Sequence, residues 1–178
     1  CRLLDGVNTE IDSNSESVAL ASSYAEALKN KDEGLFSIFL GLENGAAISN
    51  SFEKLNYLYD RGVRYVTLCH ARDNSICDSS ASRQKRWHGL SPFGKDLIRE
   101  MNRKGILIDV SHASDESFYD IIKYSTKPVV ASHSCCRAIC DHPRNLSDDM
   151  IRALAAKGGV IQINFYPMFL DSGFKRIL

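Results

Sequence analysis

The sequence is short of the features by which several protein classes declare themselves. No run in its 178 residues approaches the roughly 18 consecutive apolar positions of a membrane span. Neither sign of charge is in excess, since 22 Lys and Arg face 22 Asp and Glu. The chain therefore has no net field for nucleic acid or anionic lipid, and nucleic acid is not an expected partner. The glycines of GLENG, Gly41 and Gly45, do not make a GxGxxG or P-loop pattern, so nucleotide binding has no support. No GxSxG elbow occurs. Ser111, Ser132 and Cys69 each precede a histidine, but adjacent strand residues are expected to point to opposite faces. A second CxxC knuckle is also missing. The cluster of His133, Cys135, Cys136, Cys140 and His142 thus lacks the spacing of a structural zinc site, and the 6 cysteines are expected to be free thiols.

There is no Pro- or Ser-rich linker and no low-complexity tract. With 44% hydrophobic residues the composition is that of a folded chain. The length permits one domain, yet it falls below the roughly 250 residues of a complete eight-unit α/β barrel. The chain begins at Cys1 rather than Met, and no signal-peptide core follows. It is expected to be the interior of a longer protein. The alternative, a lipid-bearing cysteine of a processed lipoprotein, lacks the flexible polar tether that would follow it. Nothing in the residues gives a compartment.

What is present is an alternation. Short, nearly continuous apolar runs at 35–42, 64–69, 106–110, 128–131 and 160–164 read as strands buried on both faces. Helical patterns at 52–61, 92–103, 115–123 and 147–157 lie between them. Ser91 before Pro92 supplies an N-cap and a first-turn proline, and Lys104 and Gly105 a C-terminal stop. Ser114 and Ser147, each followed by two acidic residues, open the next two helices. Two further helices, the second capped by Ser22 or Ser23, precede the first strand. The order is that of parallel βαβ construction, an α/β barrel or a doubly wound sheet. One long irregular segment, 71–90, carries an RQKR run that reads as a solvated surface.

The strand ends carry the chemistry. The five runs lead to Glu43, His70, His112, His133 and Asn164. In parallel α/β proteins the carboxyl ends of the strands form the face on which active sites are built, so these side chains should converge. Imidazoles with a carboxylate make a donor set suited to zinc, the carboxylate being able to bridge a pair of ions. Such a centre lowers the pKa of a bound water for attack on a carbonyl. From the residues alone the chain reads as a metallohydrolase with the metal count open. Acid/base work through Glu43, Asp73 and Asp78 is the weaker scheme. Asp109 is read as structural.

At these residues the chain resembles the membrane dipeptidase (renal dipeptidase) family of zinc peptidases, particularly its bacterial members. The matching stretches are GLENGAAI, GVRYVTLCH, GLSPFGKDLIREMNRKGILIDVSHAS, PVVASHSCCRAICDHPRNLSDD and GGVIQINFY. The resemblance implies a (β/α)8-type barrel, represented by an internal fragment of about five strands, so that residues 1–178 are a partial metallopeptidase barrel domain. It also implies two zinc ions in the complete protein and hydrolysis of dipeptides. Glu43 matches the bridging carboxylate, and His112 and His133 the imidazole ligands of one zinc. His70 matches the histidine that contacts the substrate and the developing oxyanion. Arg144, in HPRN, matches the arginine that holds the substrate carboxylate, and Asn164 and Tyr166 are expected to line the pocket. The resemblance leaves a homodimer open.

Two of the family's features have no counterpart. No His-x-Asp pair for the other zinc occurs in the chain, and the family's late aspartate, which follows a further strand, has no match because the sequence stops at Leu178. The isolated chain is therefore expected to be incomplete as a catalyst, and poorly stable with two open strand edges. The competing expectations are a barrel that has lost its zinc centre, or a related metallohydrolase acting on another amide or ester.

Overall fold

A computed structural model describes residues 2–174; Cys1, and with it the lipoprotein reading, lies outside the described residues. The chain opens with helix α1 (Arg2–Ser13), strand β1 (Val18–Leu20), helix α2 (Tyr24–Asp32) and strand β2 (Phe36–Ile38). It then alternates: β3 (Leu40–Glu43), α3 (Phe52–Asp60), β4 (Val63–Thr67), α4 (Pro92–Lys104), β5 (Leu107–Asp109), α5 (Asp115–Tyr124), β6 (Val129–Ser134), α6 (Asp148–Ala156) and β7 (Val160–Ile163). Strands β3 to β7 form one parallel sheet in strict sequence order. A doubly wound sheet would reverse its order at a switch point. Five strands that each lie beside their predecessor are instead the wall of a (β/α)8-type barrel.

Serine caps set the helix starts. The side chains of Ser23, Ser51, Ser91, Ser114 and Ser147 each accept a hydrogen bond from the backbone N–H three residues on, satisfying donors that the first helical turn leaves free. Helix α4 ends on Gly105 at φ 73°, a left-handed position that glycine fills without a Cβ penalty. The helices lay their apolar faces on the sheet. Leu97, Ile98 and Met101 of α4, Phe118 and Ile121 of α5, and Met150 and Leu154 of α6 are buried with Val66 and Ile108.

The run 35–42 differs from its reading as one strand. It divides at Phe39: β2 pairs with β1 in a separate two-stranded sheet, while β3 begins the barrel wall. The register of β3 against β4 shifts between Leu40 and Gly41, and the Tyr65 ring occupies the space a Cβ on Gly41 would need. An unbroken apolar run conceals such a division because both halves are apolar although they pair with different strands.

The segment 71–90 has little regular structure, but it is ordered by its own polar groups. The buried Asp78 carboxylate accepts hydrogen bonds from the backbone N–H groups of Arg86, Trp87 and Gly89 at 2.9–3.1 Å. The Asp73 carboxylate accepts from Ser79 N–H at 2.7 Å. Both acids are committed to the loop's backbone. The segment also presses on α4, where a Cβ on Gly94 would lie 2.2 Å from the Ile76 carbonyl oxygen. Gly94→Ala should therefore cost about 3 kcal/mol, toward the top of the overpacking range, because the obstacle is backbone and cannot rotate away. Chemical denaturation should show a lowered midpoint with an unchanged slope; an unaltered midpoint would contradict this packing.

Candidate metal centre

Four of the polar strand-end residues meet. Glu43 is the last residue of β3, His70 follows β4 by three residues, His112 follows β5 by three, and His133 lies within β6. Glu43 Oε1 stands 3.2 Å from His133 Nε2, 3.4 Å from His112 Nε2 and 4.0 Å from His70 Nε2. The His112 and His133 Nε2 atoms are 2.9 Å apart. The His70 ring lies over that of His112 with centroids 4.2 Å apart, and His133 meets His112 edge-on at 4.9 Å.

These separations can be set against what an ion requires. Two donors each about 2.0 Å from one tetrahedral zinc are about 3.3 Å apart. The triangle of Glu43, His112 and His133, with edges of 2.9, 3.2 and 3.4 Å, fits. A second trio, Glu43, His70 and His112, has its ligand atoms within 4.8 Å of one another, but its Glu43 to His70 edge of 4.0 Å is looser. The shorter edges are those of the triangle that includes His133.

The electrostatics favour neutral rings. Burial, reinforced by the Arg144 guanidinium and the His70 and His133 rings, holds the His112 imidazole down to about 3. Burial and then Arg144 also lower His133. An uncharged imidazole presents a lone pair without having to release a proton, which suits it to a cation.

Two of the five non-glycine residues with positive φ among the described residues belong to this place. Asn44 has φ 85° and His112 φ 70°, in the left-handed region that residues with a Cβ seldom occupy. Asn44 is held there by its side chain, which accepts from Ala46 N–H at 3.1 Å and from Asn74 Nδ2 at 3.3 Å. Ser80 N–H donates to the His112 carbonyl at 2.8 Å, and Ser79 Oγ donates to that of His70. The segment 71–90 thus buttresses two of the three histidines.

Arg144 reaches the site from the loop after β6. It is buried, with Nη2 donating to the His133 carbonyl at 3.1 Å and its guanidinium over the Phe169 ring at 5.4 Å. Asn145 fixes that loop: its Oδ1 accepts from Cys135 N–H, and its Nδ2 donates to the Cys140 and Phe169 carbonyls. Asn164 and Tyr166 are turned to nearer partners. Asn164 Oδ1 accepts from Tyr166 N–H at 2.7 Å, and the Tyr166 ring packs edge-on against Phe169 at 5.1 Å. Tyr166 and Arg144 share the Phe169 ring, and among the described residues no hydrogen bond or ring contact joins Tyr166 or the Asn164 side chain to the histidine cluster. The five described cysteines are free, with the Cys135 and Cys140 thiols directed at the Asn164 and Met168 carbonyls.

Two residues of the site escape sequence reasoning. Asp109 is fully buried beneath the histidines, and Ser132 lies between it and His133. Alternation predicted that Ser132 and His133 diverge, yet Ser132 Oγ is 2.7 Å from His133 Nδ1. The pairing of β6 with β7 shifts register between Ala131 and Ser134, so simple alternation does not hold there. The order is not that of a nucleophile triad, in which the carboxylate bonds the imidazole rather than the hydroxyl.

Comparison with known proteins follows the same lines. Residues 2–175 match the membrane dipeptidase family, peptidase family M19. An uncharacterized dipeptidase of Schizosaccharomyces pombe is 40% identical over 135 residues, covering 76% of this chain and 33% of that protein. Dipeptidase tcpJ of Claviceps purpurea is 37% identical over 153 residues, covering 86% and 36% respectively. The crystal structure of the probable dipeptidase PvdM from Pseudomonas aeruginosa superimposes with a TM-score of 0.90 at 30% identity, over 94% of this chain and 43% of that one. The chain thus spans about a third of the length of these curated relatives. A match along nearly all of its described residues, on a shared fold, makes this chain a member of the membrane dipeptidase family, peptidase family M19.

Proposed function

We propose that this chain supplies one zinc's ligands and part of the substrate site of a zinc-dependent dipeptidase, with Glu43, His112 and His133 as the ligands. The observation that carries the reading is the triangle of Glu43 Oε1 and the two Nε2 atoms, whose edges suit one tetrahedral ion. A zinc ion bound there would supply a Lewis acid and a water of lowered pKa. Glu43 would contribute the anionic carboxylate that holds the ion beside the two imidazoles. The His70 ring, stacked on His112 and half exposed, lies where its Nε2 can donate to the carbonyl oxygen of a bound peptide as negative charge gathers on it. Arg144 offers a planar guanidinium to a terminal carboxylate. Burial lowers its pKa, the mark of a charge kept from water, so an anionic partner is favourable for a guanidinium that stays protonated in proteins. The names of the relatives, dipeptidases in two fungi and a bacterium, support the same substrate class.

The test is hydrolysis of simple dipeptides by the protein that carries this chain, purified with zinc and again after chelation. Hydrolysis should disappear on chelation and return with zinc. A folded protein that binds zinc but cleaves only esters or other amides would replace the dipeptide reading. One that binds no zinc would overturn it.

A further inference from the structure

We infer that Asp109, acting through Ser132, sets the tautomer of His133 and so turns the lone pair of Nε2 toward the metal position. Asp109 is a positioning residue, and the inference rests on the reading of His133 as a ligand. Its carboxylate, wholly buried, accepts four hydrogen bonds: from Thr67 Oγ1 at 2.6 Å, Ser111 N–H at 2.9 Å, Ser132 N–H at 3.0 Å and Ser132 Oγ at 2.5 Å. Three strands, β4, β5 and β6, contribute to this cluster, so the carboxylate is fixed in direction as well as in place.

Proton counting gives the rest. Ser132 has one hydroxyl proton. Its oxygen lies 2.5 Å from Asp109 Oδ2 and 2.7 Å from His133 Nδ1. Two acceptors cannot face each other at 2.5 Å, so the hydroxyl proton is on the Asp109 side. The hydroxyl oxygen is then an acceptor toward the ring, and His133 Nδ1 must carry the imidazole proton. In a neutral ring that leaves Nε2 bare, and Nε2 is the atom 3.2 Å from Glu43 and 2.9 Å from His112 Nε2. Ser111 adds to the constraint: its Oγ accepts from His133 N–H at 3.0 Å, holding the backbone from which the ring projects. A histidine ligand whose remote nitrogen donates to a carboxylate is a general device of metal sites; in this chain a serine hydroxyl stands between the two.

The asparagine variant makes the direction of the relay testable. Oδ1 of Asp109 accepts two backbone N–H groups, so an asparagine at 109 must keep its carbonyl oxygen there and place its amide nitrogen at the Oδ2 position. That nitrogen would donate to Ser132 Oγ. The hydroxyl proton would then be directed at His133 Nδ1, and the ring proton would move to Nε2, on the metal side. Asp109→Asn should therefore reverse the tautomer at nearly unchanged shape.

The experiment is ¹⁵N NMR of histidine-labelled protein, without metal, at a pH where His133 is neutral. Zinc affinity is measured in parallel by competition with a chelator. The unmodified protein should show His133 protonated at Nδ1. Asp109→Asn should show it protonated at Nε2, and Ser132→Ala should lose the preference for Nδ1. Both should weaken zinc binding by about 10- to 100-fold. Ser132→Thr keeps the hydroxyl and should restore both readouts. A ring protonated at Nε2 in the unmodified protein, or a tautomer indifferent to all three substitutions, would overturn the relay. Should Asp109→Asn fail to fold, the Ala and Thr variants decide alone. If the tautomers behave as stated but the unmodified protein binds no zinc, the relay stands and the metal reading fails.

Discussion

Glu43→Gln should lower zinc affinity by more than about 100-fold, since removing a ligand should exceed the 10- to 100-fold that outer hydrogen-bond partners cost, and hydrolysis should fall with it. The argument rests on charge and position. Glu43 supplies the one anionic oxygen of the cluster, and all three imidazoles converge on it, at 3.2, 3.4 and 4.0 Å. The glutamine amide keeps the size and one oxygen but removes the charge that balances a divalent ion. The same variant should leave the fold intact, because the Glu43 side chain is 54% exposed and packs in no core. Thermal unfolding without added metal should thus be unchanged, while the increase in stability that zinc gives the unmodified protein through binding should be absent. Unaltered zinc stoichiometry and affinity in Glu43→Gln would remove Glu43 from the ligand set. A protein that lost its fold would instead show that the carboxylate supports the strand end.

Much of this site is legible in the sequence for a simple reason. In a parallel barrel every strand delivers its last residue to the same rim, so Glu43, His70, His112 and His133 are neighbours although they span about 90 residues of chain. The helices are equally legible, since the serine caps at Ser23, Ser91, Ser114 and Ser147 are local hydrogen bonds between residues three apart. Features that depend on register or on non-local proton acceptors were hidden. Strand β1 is three residues long and exists because β2 pairs with it. The left-handed backbone at Asn44 and His112 has no glycine to mark it. Ser132 looked diverted from His133 by alternation, and only the shifted register of β6 and the fixed Asp109 carboxylate bring hydroxyl and ring together. Asp78 looked like a candidate acid because its type and loop suited one; three-dimensional closure of the loop shows its oxygens turned to backbone amides.

That closure makes Asp78→Ala the substitution with the largest expected effect on stability, about 3 to 5 kcal/mol. Truncation would leave the N–H groups of Arg86, Trp87 and Gly89 without an acceptor in a buried site, and each unsatisfied group costs about 1 to 3 kcal/mol unless water reaches it. Partial opening to water is what keeps the sum below the simple total. Asparagine is no remedy: both carboxylate oxygens accept backbone N–H groups, so one end of an amide would set N–H against N–H. The damage should not stay in the loop. The Asp78 carbonyl accepts from Ser114 N–H at the start of α5, and the adjacent Ser79 and Ser80 hold the His70 and His112 carbonyls. Asp78→Ala should thus weaken zinc binding as well as lower the denaturation midpoint. Trypsin separates local from global loss. The RQKR run at 83–86 lies on the segment that Asp78 closes, and cleavage there should become fast in Asp78→Ala while sites in α4 and α5 stay protected. Protection of the loop equal to that of the unmodified protein, with an unchanged midpoint, would show that water replaces the carboxylate without cost. Uniform cleavage throughout the chain would mean instead that the loop and the barrel wall unfold as one unit.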